Sequence, residues 1–208
     1  MKKIMFSDKY GLTEAVLTGR KTQTRRFIPK EFFTLQWDIR DDTLVVENEW
    51  GDFIDIRNTK FCMFKKEEIV AVAQSYKDCG GFMEDGTPRW DYISCIVGNK
   101  NAGWTNKMFV KPELMPHQIR ITNIRIERLQ DISDEDCLAE CIINKWHAPA
   151  CRKYFYLPNV EVKSTKDVYN TPQEAYAALI DKVGKKGDWN KNPYVFVYEF
   201  ELVKLINL

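Results

Sequence analysis

The sequence predicts an α+β fold, a small mixed β-barrel flanked by three short helices rather than a βαβ unit. Two observations carry this. Strand-like alternation of β-branched and aromatic residues recurs along the chain and is longest over residues 118–130 and 194–202. Helical periodicity is confined to three stretches, after residue 7, over 133–143 and over 172–183. At 208 residues, the default is a single domain, 1–208, able to bury its own core.

In chain order, Lys3 to Phe6 reads as a short strand. Ser7 or Asp8 then caps a helix with Leu12, Ala15 and Val16 on one face, and Gly19 is its left-handed stop. The chain is extended from Thr22. Residues 35–56 read as a strand meander with turns at Asp41-Asp42 and Gly51-Asp52. Residues 68–75 form a buried strand. Residues 76–107, with Gly80-Gly81, Gly86, Pro88 and Gly103, form a long irregular excursion. In the strand over 118–130 the apolar phase changes between Ile121 and Ile124, which predicts a bulge near Asn123. Ser133, with Asp136 three residues on, starts a capped helix, and Ile132 is placed to staple onto Cys137. The helix over 172–183 and the strand over 194–202 close the chain.

No apolar run reaches the roughly 20 residues of a membrane-spanning helix. The start, Met1 to Ser7, has no apolar signal core. The expected location is cytoplasmic, with no membrane partner, and the six cysteines, which form no CxxC pair, are expected as free thiols. Net charge is +1, but residues 1–30 carry +6 and the rest −5. Such a basic patch on a near-neutral chain fits a small anionic or polar ligand or a short stretch of RNA, not a large non-specific nucleic-acid footprint. Pairing of these cations with acids elsewhere in the fold is the plainer alternative.

The densest chemistry lies in Gly19-Arg20-Lys21-Thr22-Gln23-Thr24-Arg25-Arg26, four cations and two hydroxyls in eight residues. Lys21 and Thr24 face opposite ways in a regular strand, so they converge only if Lys21 sits in the turn after Gly19. Glu140, the third candidate, lies off the Cys137, Leu138, Cys141, Ile142 stripe, and periodicity alone makes it a solvated side chain. Cys137, Cys141, His147 and Cys151 resemble a zinc set only loosely, and no metal or other cofactor is expected. The six tryptophans offer stacking surfaces, and Trp90 and Trp104 are the nearest to a cleft. His117 is a further candidate base. No phosphate loop, dinucleotide fingerprint, serine elbow or HExxH helix is present, which removes the usual ATPase, dehydrogenase, esterase and metalloprotease readings.

The Gly19–Arg26 run resembles the Gly-Arg-Lys-Thr segment of ASCH domains, in the PUA-like superfamily. Met115-Pro116, Arg120-Ile121-Thr122 and the stretch from Leu129 to Glu140 resemble the second family block. Trp189 to Phe200 is similar to the closing strand of a larger prokaryotic and phage-associated branch. The resemblance implies a PUA-like barrel flanked by helices, with insertions at about 33–60 and 76–107. It implies a cleft beside the Gly19–Arg26 loop that takes RNA or a modified nucleobase, with Arg20, Arg25, Arg26, His117 and Arg120 as ligand-binding residues. Small members are amidohydrolases acting on acetylated cytidine, and their catalytic Lys, Thr and Glu map to Lys21, Thr24 and Glu140. Other members are ribonucleases. This chain has His117-Gln118 where its branch often has an aromatic and a basic residue. Two schemes follow: Lys21 activates Thr24 as nucleophile, or Glu140 is the base and charged Lys21 steadies the oxyanion.

Overall fold

The structure is a computed structural model that describes residues 1–40, 43–79, 100–147 and 152–203. Asp41-Asp42, Trp90, Cys151 and much of the 76–107 excursion lie outside the described residues. The fold is α+β and mostly strand. A five-stranded mixed sheet combines β1 (Lys2–Ile4), β6 (Ile69–Val72), β7 (Gln118–Arg128), β10 (Tyr194–Val203) and β2 (Gln23–Phe27), side by side in that order. β1 runs parallel to β6, and the remaining pairs are antiparallel. β3 (Trp37–Arg40), β4 (Thr43–Glu47) and β5 (Phe53–Asp55) make the expected meander as a separate three-stranded sheet. β8 (Ile143–His147) and β9 (Arg152–Tyr156) make a third sheet of two strands. Among the described residues the main sheet has β1 and β2 as its two edges and does not close into a barrel.

β7 explains how one long strand serves one core. Its partner register passes from Asn123 opposite Glu199 to Ile121 opposite Phe200, leaving Thr122 as the extra residue of a bulge. The phase slip lets Ile119, Ile121 and Ile124 all point inward, at 0%, 0% and 7% exposure. They join Phe196, Tyr198 and Phe200 of β10 in the main core.

The first helix differs from its expectation. Gly11, at φ 61, splits it into a 3-10 turn over Asp8–Tyr10 and α1 over Leu12–Leu17. Ser7 makes no side-chain cap; instead the Thr13 hydroxyl donates to Asp8 at 2.5 Å. Gly19 is left-handed at φ 72, as expected. The helix expected over 133–143 is also shorter. Ser133 caps α2 (Asp134–Ala139) by accepting from the Asp136 N–H. Cys141 then takes φ 84, its N–H bonds to Leu138 and the Ile142 N–H to Cys137. That is a Schellman stop, built on Cys where Gly is usual. α3 (Pro172–Val183) matches its expected bounds, with a Thr171–Glu174 capping box and proline in its first turn. α2 and α3 pack together, and α2 lies on the face of β2 and β7 that carries Gln23, Arg25 and Arg125. No helix among the described residues is long and apolar enough to cross a membrane.

Candidate functional site

The Gly19–Arg26 segment is fixed first by its main chain. Once Gly19 has turned it, the Lys21 N–H bonds to Ala15 of α1 at 2.9 Å and the Thr22 N–H to Ala139 of α2 at 3.1 Å. The Phe200 N–H of β10 donates to the Thr22 carbonyl at 2.8 Å. Lys21 therefore lies in the turn before β2, the placement the sequence required.

Its side chain runs inward and is 2% exposed. Lys21 Nζ donates to Glu140 Oε2 and, at 3.3 Å, to the Glu140 carbonyl. Glu140 is 4% exposed, which corrects its expectation as a solvated side chain. The error was in helix length: with α2 ending at Ala139, Glu140 is the C-cap and no longer follows the helical period. Glu140 Oε1 accepts from Arg25 Nη1 at 3.2 Å. The buried Tyr176 of α3 lies close enough to the same carboxylate that burial and the Glu140 charge together push its hydroxyl well above the ordinary tyrosine value.

Arg25 anchors a wider network. It reaches Glu127 Oε1 from Nε at 2.8 Å and from Nη2 at 2.6 Å, and Asp136 Oδ2 at 2.7 Å. Asp136 also takes Gln23 Nε2 at 2.7 Å and an ion pair from Arg125, which in turn pairs with Glu199. Of the four cations of the basic run, Lys21 and Arg25 thus pair with acids, and they do so in the interior. With three carboxylates of its own, Arg25 is a positioning residue and not a free ligand contact.

Thr24 lies on the other face of β2, opposite Tyr198 and 5% exposed. Phe200, two residues along β10, shares that face and packs against Phe6 with ring centroids 5.9 Å apart. Lys21 Nζ sits 5.9 Å from the same Phe6 ring. Lys21 and Thr24 are not hydrogen-bonded to each other, because Lys21 Nζ turns to Glu140. The Thr24 hydroxyl has no hydrogen-bond partner among the described residues. Arg26 lies on the Thr24 face, with Nη2 on the Met5 carbonyl at 2.7 Å and a buried Nε that has no hydrogen-bond partner among the described residues.

The remaining candidates disperse. Arg20 is exposed and bonds to the Thr18 hydroxyl at 3.2 Å. Arg120 pairs with Glu201 at 3.3 Å on an exposed stretch. His117 Nδ1 lies 2.8 Å from Gln74 Oε1. Trp104 packs against a second core cluster with Tyr76 and Met115. Cys137 and Cys141 do not share a helical face, since Cys141 lies beyond the end of α2; burial pushes the Cys137 thiol up to about 12. Among the described residues no three His, Cys, Asp or Glu side chains converge as metal ligands.

Burial sets the electrostatics. Desolvation holds Lys21 below the usual lysine value, although Glu140 pulls it back up. Burial acts on Arg25 in the same sense, but Glu140, Tyr176 and Glu127 outweigh it and raise it further. For Asp136, burial acts upward and is outweighed by hydrogen bonds from Gln23 and Arg25 and by the charge of Arg125, leaving the acid below its ordinary 3.8. Asp136, Glu127, Arg125, Gln23 and Tyr176 were missed in the sequence. The available signal was the polar residues at alternate positions of β2 and β7, Gln23 with Arg25 and Arg125 with Glu127, the second pair alternating with Ile124 and Ile126. A cleft of about 400 Å³, lined by Thr22, Gln23, Thr122, Asp136, Ala139 and Glu199 among others, opens beside this network.

Comparison with protein-family models, with curated proteins and with solved structures finds no match for the chain.

Proposed function

We propose that this chain is an ASCH-type protein of PUA-like architecture that binds a modified nucleobase beside Gly19–Arg26 and removes its acyl group. The observation that carries the reading is the buried Lys21–Glu140 pair just ahead of the strand that carries Thr24, whose hydroxyl has no hydrogen-bond partner among the described residues. A lysine whose charge is disfavoured by burial can act as a base, and an unengaged hydroxyl is a nucleophile awaiting one. The strand-rich α+β fold is compatible with a PUA-like barrel, of which the five-stranded sheet would be the greater part.

In the step that fits these residues, Thr24 Oγ1 attacks the acyl carbonyl carbon and its proton passes to uncharged Lys21. Lys21 returns the proton to the departing nucleobase amine. Water then cleaves the Thr24 ester, releasing the carboxylic acid and restoring the hydroxyl. Glu140 aims the Lys21 amine, and Arg25 holds Glu140.

The test incubates the protein with a panel of N-acylated nucleosides and with mixed RNA, read by mass spectrometry beside Lys21→Met and Thr24→Val. Release of free nucleoside and acid that disappears in both variants supports the reading. Nucleoside binding without turnover reduces it to a binding module. Lys21-dependent RNA cleavage without an acyl product makes the chain a ribonuclease. Neither binding nor turnover refutes it.

A further inference from the structure

The ribbon β8–β9 stands apart from the site and has no role in that chemistry. Among the described residues its strands pair only with each other, apart from one bridge in which Phe155 and Tyr169 exchange two main-chain bonds of 3.0 Å. Phe155 packs on the main core and Leu157, just beyond the ribbon, is buried, so this end is anchored. A two-stranded hairpin is marginal in water by itself, and the anchor accounts for its persistence.

The far end is built otherwise. Asn144, Lys145, Trp146, His147, Arg152 and Lys153 are all exposed, and Trp146 is 62% exposed. The two strands carry Lys145, Arg152 and Lys153 and no acid, in a chain of net charge +1. None of these cations forms an ion pair among the described residues. The register puts Lys153 directly opposite Trp146 on one face. On the other face, Arg152 lies 4.5 Å over the Tyr154 ring and His147 meets that ring edge-on at 5.7 Å. Arg152 Nε also donates to the Tyr154 hydroxyl at 2.7 Å, which holds the stack in place.

We propose that the ribbon is a grip for single-stranded nucleic acid, with Trp146 stacking on a base and Lys145, Arg152 and Lys153 holding the neighbouring phosphates. Flat aromatic faces interleaved with unpaired cations are the recurring means of holding single strands without sequence preference. The exposed part of the ribbon has no aliphatic residue to enter a bilayer. Its charge also repels basic partners and favours a polyanion. Trp146 lies only six residues past Glu140, so at about 3.3 Å per residue the grip is within about 20 Å of the site along the chain. The inference concerns binding alone and stands whether or not the site hydrolyses anything.

Fluorescence anisotropy tests it on the full chain, using a labelled 12-nucleotide single strand of mixed sequence as RNA and as DNA. A duplex of the same sequence and anionic phospholipid vesicles are the competing probes. Single strands are expected to bind best, with Trp146→Ala weakening them about tenfold or more. The triple variant Lys145→Ala, Arg152→Ala, Lys153→Ala should make the slope of log affinity against log salt shallower by about two, from about 0.7 per phosphate contact. These side chains are exposed, so melting temperature reports that the variants are folded. Absence of single-strand binding, equal binding by the variants, or preference for duplex or vesicles would overturn the proposal.

Discussion

Replacing Glu140 by alanine should destabilise the protein far more than replacing Lys21 by methionine, although the two side chains form one ion pair. The asymmetry follows from the partners each leaves behind. Without the Glu140 side chain, the 2%-exposed Lys21 keeps only a carbonyl at 3.3 Å, and a buried cation is left uncompensated. Losing one partner of a buried pair in this way costs about 3–5 kcal/mol. Arg25 does not add a second such penalty, since Glu127 and Asp136 still hold it. Without Lys21, by contrast, Glu140 retains Arg25 at 3.2 Å. The cost is then that of one charged hydrogen bond, offset by apolar packing of the methionine, about 1–2 kcal/mol. Chemical denaturation followed by circular dichroism measures both, and the Glu140→Ala melting point should fall by about 6–20 °C in a domain of this size. The double variant makes the sign decisive. Adding Lys21→Met to Glu140→Ala removes the stranded charge and should restore stability. A double variant less stable than Glu140→Ala alone would refute this account of the site.

Asp136 gives a pH signature. Because its folded pKa lies below the ordinary 3.8, its contribution is fully present above that value and is lost as pH falls through the lower, folded one. Acid titration of stability below about pH 4 should therefore be shallower in Asp136→Asn than in the parent, and an unchanged curve counts against the network. Glu67 is exposed and sits at φ 64, with its N–H on the Ile121 carbonyl at 2.7 Å. Glu67→Gly keeps that bond and relieves the left-handed backbone, so stability should rise by about 0.5–1 kcal/mol, and a lower melting temperature would contradict it.

Local patterns made much of the fold legible. The phase change between Ile121 and Ile124 is a backbone event written in side-chain polarity, and the register shift at Thr122 is its physical form. Gly19 announced both a helix stop and the turn that places Lys21. The Pro172–Val183 helix was readable because its cap, first-turn proline and periodicity agree. Glu140 was misplaced for a nameable reason: the stop after it uses Cys141 at φ 84, and cysteine carries no turn signal as glycine would. The split at Gly11 was misread because the apolar spacing continues across it. Whether the sheet closes depends on what meets β1 and β2 at its edges, a long-range matter that no short window encodes. The same holds for Arg25, whose acids lie 102 to 115 positions away along the chain.

The loop that carries Lys21 and Thr22 is fastened through its peptide groups to Ala15, Ala139 and Phe200, and no side chain of its own takes part in those three bonds. Its shape is thereby uncoupled from its chemistry. Substitutions at Arg20, Lys21 and Thr22 can change what the loop does to a ligand while leaving the path of the chain intact, provided Gly19 remains to make the turn. The segment works like a tool holder whose bits are interchangeable, and a redesigned reaction could be mounted here by altering a few side chains without rebuilding the frame.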